Sequence, residues 1–138
     1  ILLDPNKDAF GRQKNGIPNR QVASELNEAG ITVRWCNTQG EQCHSKMILK
    51  RHAQEAELIL GSANFTARNL KNYNLETNLR VIGRSNAAVF TDAQQYFDGA
   101  WSNLNGRQMS VGYEQYKDES KLKYGLYRFM EWSGLSTF

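Results

Sequence analysis

Residues 43–82 read CHSKMILKRHAQEAELILGSANFTARNLKNYNLETNLRVI, and how this run divides decides the fold. A short apolar run opens with His44 and Lys46. A connector without Pro or Gly, residues 50–56, reads as the tip of a hairpin. The second apolar run, residues 57–60, ends in Gly61-Ser62-Ala63-Asn64-Phe65-Thr66, and a third, residues 75–82, carries Glu76. In a strand, His44, Lys46 and Ile48 alternate with Ser45, Met47 and Leu49, which predicts the imidazole and the ammonium on one face. A base or nucleophile beside a fixed positive charge, followed by a small-residue turn with free backbone N–H groups, suits phosphate chemistry.

The flanks supply scaffold. Ile1-Leu2-Leu3 is a short strand closed by Asp4-Pro5-Asn6, and residues 5–17 read as a long polar loop bordering the site, with Lys7, Arg12 and Lys14. Pro18-Asn19 opens a helix whose stripe is Val22, Ala23, Leu26 and Ala29, and Gly30 stops it. Ile31, Val33 and Trp35 share one face of the next strand. Thr66 caps a short helix to about Leu70. Asn86 caps a long one to Trp101, its stripe formed by Val89, Phe90, Ala93, Tyr96, Phe97, Ala100 and Trp101. Residues 102–119 read as irregular. Residues 121–131 form a last helix with Leu122, Leu126, Phe129 and Met130 as its apolar face. That face suits docking on the domain's own sheet, with a membrane surface or a partner as the alternative. Strand, helix, strand, strand predicts an α/β class: a mixed β-sheet flanked by helices in a layered domain.

At 138 residues, 40% hydrophobic and 22% charged, the chain fits one domain with its own core. No apolar run approaches the roughly 20 residues of a membrane-spanning helix. The net charge of +3, from 17 basic and 14 acidic residues, suits an anionic substrate and falls short of a nucleic-acid footprint. Cys36 and Cys43 are too few for a disulfide scaffold; one bridge or two thiols fit equally. A zinc site would recruit Cys36, Cys43, His44 and His52, whose spacing matches no familiar zinc pattern.

Taken singly these signals are weak; their order resembles the phospholipase D superfamily. The residues that carry it are His44-Ser45-Lys46, then Gly61-Ser62-Ala63-Asn64, then Glu76, with GSANFTARNL as a family-like run. The opening LDPNKDAFGRQKNGIPNR and the closing GLSTF are similar to the C-terminal half of bacterial phospholipase D-like, cardiolipin-synthase-like proteins. The resemblance implies a layered phospholipase D-like domain over 1–138, a catalytic half-domain forming the C-terminal part of a longer two-repeat chain.

It also implies roles. His44 attacks phosphorus in line or protonates the leaving oxygen, Lys46 holds a non-bridging phosphate oxygen, and Ser62 and Asn64 donate to other oxygens. Glu76 accepts from the second ring nitrogen of His44. No metal or cofactor is implied. The function expected is a phosphodiesterase or phosphatidyltransferase acting on phospholipid phosphodiester bonds through a phosphohistidine. The alternatives are a nuclease of the same superfamily and a non-catalytic half-domain that dimerises or binds anions. Implied partners are a phospholipid or other phosphodiester, a second His-x-Lys half-domain from the same parent chain or a homodimer, and a peripheral membrane contact; nucleic acid ranks below these. Placement in a bacterium would be membrane-associated, cytoplasmic or periplasmic. The family's motif continues to an Asp that supports the structure, and Arg51 stands at that position here, within a basic Lys50-Arg51-His52 tip.

Overall fold

The computed structural model describes residues 1–9, 12–71 and 75–133. In chain order the elements are β1 (Leu2–Leu3), β2 (Asp8–Ala9), β3 (Arg12–Gln13), α1 (Asn19–Glu28), β4 (Arg34–Cys36), β5 (Met47–Arg51), β6 (Glu55–Gly61), α2 (Ala67–Leu70), β7 (Asn78–Arg84), α3 (Ala88–Trp101), β8 (Ser110–Gly112) and α4 (Lys121–Ser133). Helices and strands mix as the α/β class requires. The strands form three sheets, β1-β4-β8, β2-β3 and β5-β6-β7. The chain divides into two compact units, Ile1–His44 with the described residues from Gly99 on, and Ser45–Asp98. The closing GLSTF run lies outside the described residues.

In the first unit β1 runs parallel to β4, with α1 between them in sequence, and β8 pairs antiparallel on the far side of β4. This sheet is mixed. Residues 5–17 are less of a loop than expected, because β2 and β3 pair antiparallel. Gly30, at φ +79°, stops α1: its N–H donates to the Asn27 carbonyl (3.0 Å), and Ile31 N–H donates to the Leu26 carbonyl (2.9 Å). These two bonds satisfy carbonyls that the helix end leaves without partners. Because Ile31 closes the helix, the strand begins only at Arg34, and Ile31 is exposed and does not join the Val33–Trp35 face. Ala23, Val33 and Trp35 form the core, packed by Leu3, Leu26, Val111, Tyr113 and Tyr116. The Trp35 indole N–H donates to the Tyr113 carbonyl (2.7 Å), so its polar atom is satisfied on burial. The strand β8 that presents Val111 lay within the stretch expected to be irregular.

One core position is anomalous. Gln21 is buried on α1, and neither its amide nitrogen nor its amide oxygen has a partner among the described residues. Burial without a partner costs roughly 1–3 kcal/mol. Replacing Gln21 with the near-isosteric Met is expected to raise stability by about 1 kcal/mol, read as a higher denaturant midpoint at unchanged slope. A lower midpoint would refute this account of the amide.

In the second unit β5, β6 and β7 form an antiparallel meander. Register puts Leu49, Leu58 and Val81 in one row and Arg51, Ala56 and Gly83 in the next. Ala56, Leu58 and Phe90 of α3 are its core, with Met47, Leu49, Val81, Ala87 and Ala93 around them. The opposite face carries Ile48, Ile59 and Ile82 among Lys50, Glu57 and Arg80, the last two ion-paired. Asn86 sits in the turn before α3, not at its cap, and Val89 and Tyr96 are exposed.

The last helix is turned away from the expected orientation. Tyr127 is its buried residue, while Leu122, Leu126 and Phe129 are exposed. Polar contacts set this rotation. Lys123 Nζ donates to Asp118 Oδ2 (2.6 Å) and to the Asn15 carbonyl (3.2 Å), the Tyr124 hydroxyl donates to Glu25 Oε1 (2.9 Å), and Arg128 lies 3.6 Å from Glu25.

Candidate active site

The segment that delivers the His-x-Lys pair is anchored before it arrives. Cys36 of β4 and Cys43 are joined in a disulfide with Cα atoms 6.1 Å apart. The Cys43 N–H also donates to Asp4 Oδ2 (2.7 Å). His44 follows directly and is exposed, the last residue of the first unit. Closing an eight-residue loop removes about 2.5 kcal/mol of unfolded-chain entropy by the loop-closure estimate. Reductant is therefore expected to lower the melting temperature, and a Cys36→Ser/Cys43→Ser variant should melt at the reduced protein's temperature in either buffer. Coincident curves for the oxidised and reduced wild type would refute the stabilising role.

Strand β5 starts at Met47, so His44 and Lys46 precede it, against the expectation of a shared strand face. The ladder nonetheless reaches Lys46, whose carbonyl accepts from the Gly61 N–H (3.2 Å). Between the two motif residues, the Ser45 and Tyr96 hydroxyls are 2.7 Å apart. Tyr96 was expected in the core; it holds the motif's middle residue to α3 instead.

Gly61 ends β6 where no side chain fits. A Cβ there would lie 2.7 Å from Asn78 Cα and closer still to the Thr77 carbonyl, and a backbone cannot yield as a side-chain tip can. The close approach has a purpose visible in the next residue. Ser62 N–H donates to the Thr77 carbonyl (3.0 Å), and Thr77 N–H donates back to Ser62 Oγ (3.0 Å). That hydroxyl in turn donates to Glu76 Oε2 (2.6 Å). Ala63 N–H donates to Asn78 Oδ1 (3.3 Å). The N–H groups of Gly61, Ser62 and Ala63 are thus all engaged, and the turn does not present them to an anion as anticipated. Asn64 is exposed beyond this knot, its carbonyl accepting from the Thr66 N–H (2.8 Å).

Glu76 precedes β7, and among the described residues each of its carboxylate oxygens accepts a bond. Ser62 supplies the first. The second comes from Asn69 Nδ2 (2.8 Å), a buried residue of α2. Sequence reasoning quoted Asn69 only as part of a run. The signal available was its place three residues after the Thr66 cap, where the Asn69 N–H reaches Thr66 Oγ1 (3.5 Å) and the side chain is aimed by the first turn. Glu76 also acts on Lys46. Partial burial lowers the Lys46 ammonium from its usual value, and the negative charge of Glu76 raises it by a smaller amount.

Arg51, where the resemblance implies a structural acid, does structural service of its own. It shares the core-facing row with Ala56 and Gly83, and its guanidinium donates to the Ser85 carbonyl (2.8 Å), tying the hairpin tip to the end of β7. Lys50 and His52 remain exposed at that tip.

The second unit therefore brings Lys46, Ser62 and Glu76 together with Asn69, from four segments separated in sequence. A profile of the family described as cardiolipin synthase, PLD-like domain, matches residues 1–101 of the 138. That span takes in β1 to α3 and each of His44, Lys46, Ser62, Asn64 and Glu76. No curated protein matches the chain. The chain belongs to the PLD-like domain family of cardiolipin synthases, whose domains transfer or hydrolyse phosphodiesters.

Proposed function

We propose that this chain is a catalytic half-site acting on phospholipid phosphodiester bonds through a phosphohistidine, and that a second His-x-Lys half completes it. The observation that carries the reading is the fixed carboxylate: Glu76 held by Ser62 and Asn69 with the Lys46 ammonium within its field. A carboxylate accepting one bond per oxygen keeps further lone-pair sites. In this proposal one accepts a ring N–H of His44, which sets the imidazole tautomer and stabilises its cation.

Chemically, His44 forms the P–N bond as the P–O bond to the leaving alcohol breaks. The second half's histidine gives that oxygen its proton, then takes one from the water or alcohol that attacks the phosphohistidine. Lys46 and Asn64 bear on the phosphate oxygens, where negative charge develops. Ser62 enters as a positioning residue through Glu76, since its hydroxyl proton is committed there. Support for a second half comes from the sheet face bearing Ile48 and Ile82, which are 47% and 51% exposed. By strand alternation from Met47, Lys46 lies on that same side.

The test is covalent trapping in the full natural protein. Acid-free quenching after incubation with radiolabelled phosphatidylglycerol should leave an acid-labile, alkali-stable label on the wild type and none on His44→Ala. A label of unchanged yield on His44→Ala would overturn the proposal.

A further inference from the structure

Helix α4 lies outside the matched family span and carries an arrangement that the site does not use. It is 13 residues long, and among the described residues no helix is long and apolar enough to cross a membrane. Tyr127 is its buried residue, and the Tyr124 hydroxyl donates to Glu25 of α1. Leu122 and Trp132 are 86% and 83% exposed, with Leu126 and Phe129 about half exposed. At 100° per residue these four fall within an arc of roughly 120°. Phe129 and Trp132 rings are 6.1 Å apart, so the apolar surface is continuous along the last two turns.

Charge identifies what covers it. Lys121 and Arg128 lie side by side at one border of the arc, Arg128 at 3.6 Å from Glu25 of α1 with its side chain 60% exposed, and no acidic residue of α4 falls inside the arc; Glu131 is on the opposite side. An apolar stripe with a terminal Trp and a basic border is the pattern of a helix lying in a membrane interface. An anionic bilayer meets the apolar stripe and the basic border at once. We infer that α4 docks this chain on an anionic phospholipid surface, with Leu122, Leu126, Phe129 and Trp132 in the headgroup–acyl boundary and Lys121 and Arg128 at the lipid phosphates. Docking needs no turnover, so it stands apart from the reading of the active site.

Vesicle co-sedimentation of the purified chain tests it, with phosphatidylcholine alone and with phosphatidylcholine containing phosphatidylglycerol. Binding is expected to the mixed vesicles and to fall steeply with salt. Leu122→Gln/Phe129→Gln should weaken it at least about 10-fold, and Lys121→Gln, which leaves the Arg128–Glu25 pair in place, about 5-fold. Circular dichroism should be unchanged in both, and His44→Ala should bind as wild type. Trp132→Phe should remove most of the blue shift of Trp emission that vesicles cause. Three results would each overturn the inference: equal binding to both vesicle types, no effect of the apolar pair, or self-association lost in that pair without vesicle binding. The last would make the face an interface between copies of the chain.

Discussion

His44→Ala is expected to lower kcat by on the order of 10⁴-fold or more in the full natural protein, with little change in KM. A nucleophile or general acid contributes in the transition state and little to ground-state binding, so its removal falls on kcat. Stability should barely move. His44 is exposed, and the anchors of its segment are the Cys36–Cys43 disulfide and the Asp4 bond to the Cys43 N–H, not the imidazole. A turnover assay on phosphatidylglycerol beside a thermal melt separates the two effects. Retained turnover, or turnover lost only in step with unfolding, would remove His44 from the chemistry.

The second large effect concerns Lys46 and the carboxylate that acts on it. Lys46→Ala should cost about 10² to 10³-fold in kcat, the usual loss when one donor to a developing oxyanion is removed. Glu76→Gln tests the coupling more finely. Burial lowers the Lys46 ammonium and Glu76 partly counteracts this. Removing the negative charge therefore drives the Lys46 value lower still, and the alkaline limb of the kcat–pH profile should move toward lower pH. The stability sign follows from the same burial: a lysine lowered in the folded state opposes folding while charged, and that opposition fades as pH rises through its folded value toward the unfolded one. An alkaline limb that stays in place in Glu76→Gln would break the proposed link. Ser62→Ala and Asn69→Ala should reproduce a part of the shift, since each removes one hydrogen bond that fixes the carboxylate.

Hairpin β5–β6, the Gly30 stop and the Thr66 cap were legible because each rests on local rules: alternation, a positive φ, a hydroxyl three residues before an N–H. Strand β8 was not, since Ser110-Val111-Gly112 has one apolar residue and becomes a strand only by pairing with β4. The orientation of α4 was misread for a related reason. Its apolar residues outnumber its polar anchors in any periodicity, yet directed bonds from Lys123 and Tyr124 hold the other side down. An amphipathic pattern says that a helix has an apolar face, not that the protein covers it.

For the candidate site the division is similar. Residue order along the chain carried the resemblance to the phospholipase D superfamily, and it is that resemblance which names His44, Lys46, Ser62, Asn64 and Glu76 as site candidates. Sequence also placed Gly61 at a turn. Tertiary structure alone decided why it must be glycine, through the approach of the Thr77 backbone. Structure also showed that the Gly61–Ala63 N–H groups are occupied, that Asn69 completes the hold on Glu76, and that Tyr96 leaves the core for Ser45. Each of these is a contact between segments distant along the chain, and its geometry exists only once the three strands of the second unit have set their register.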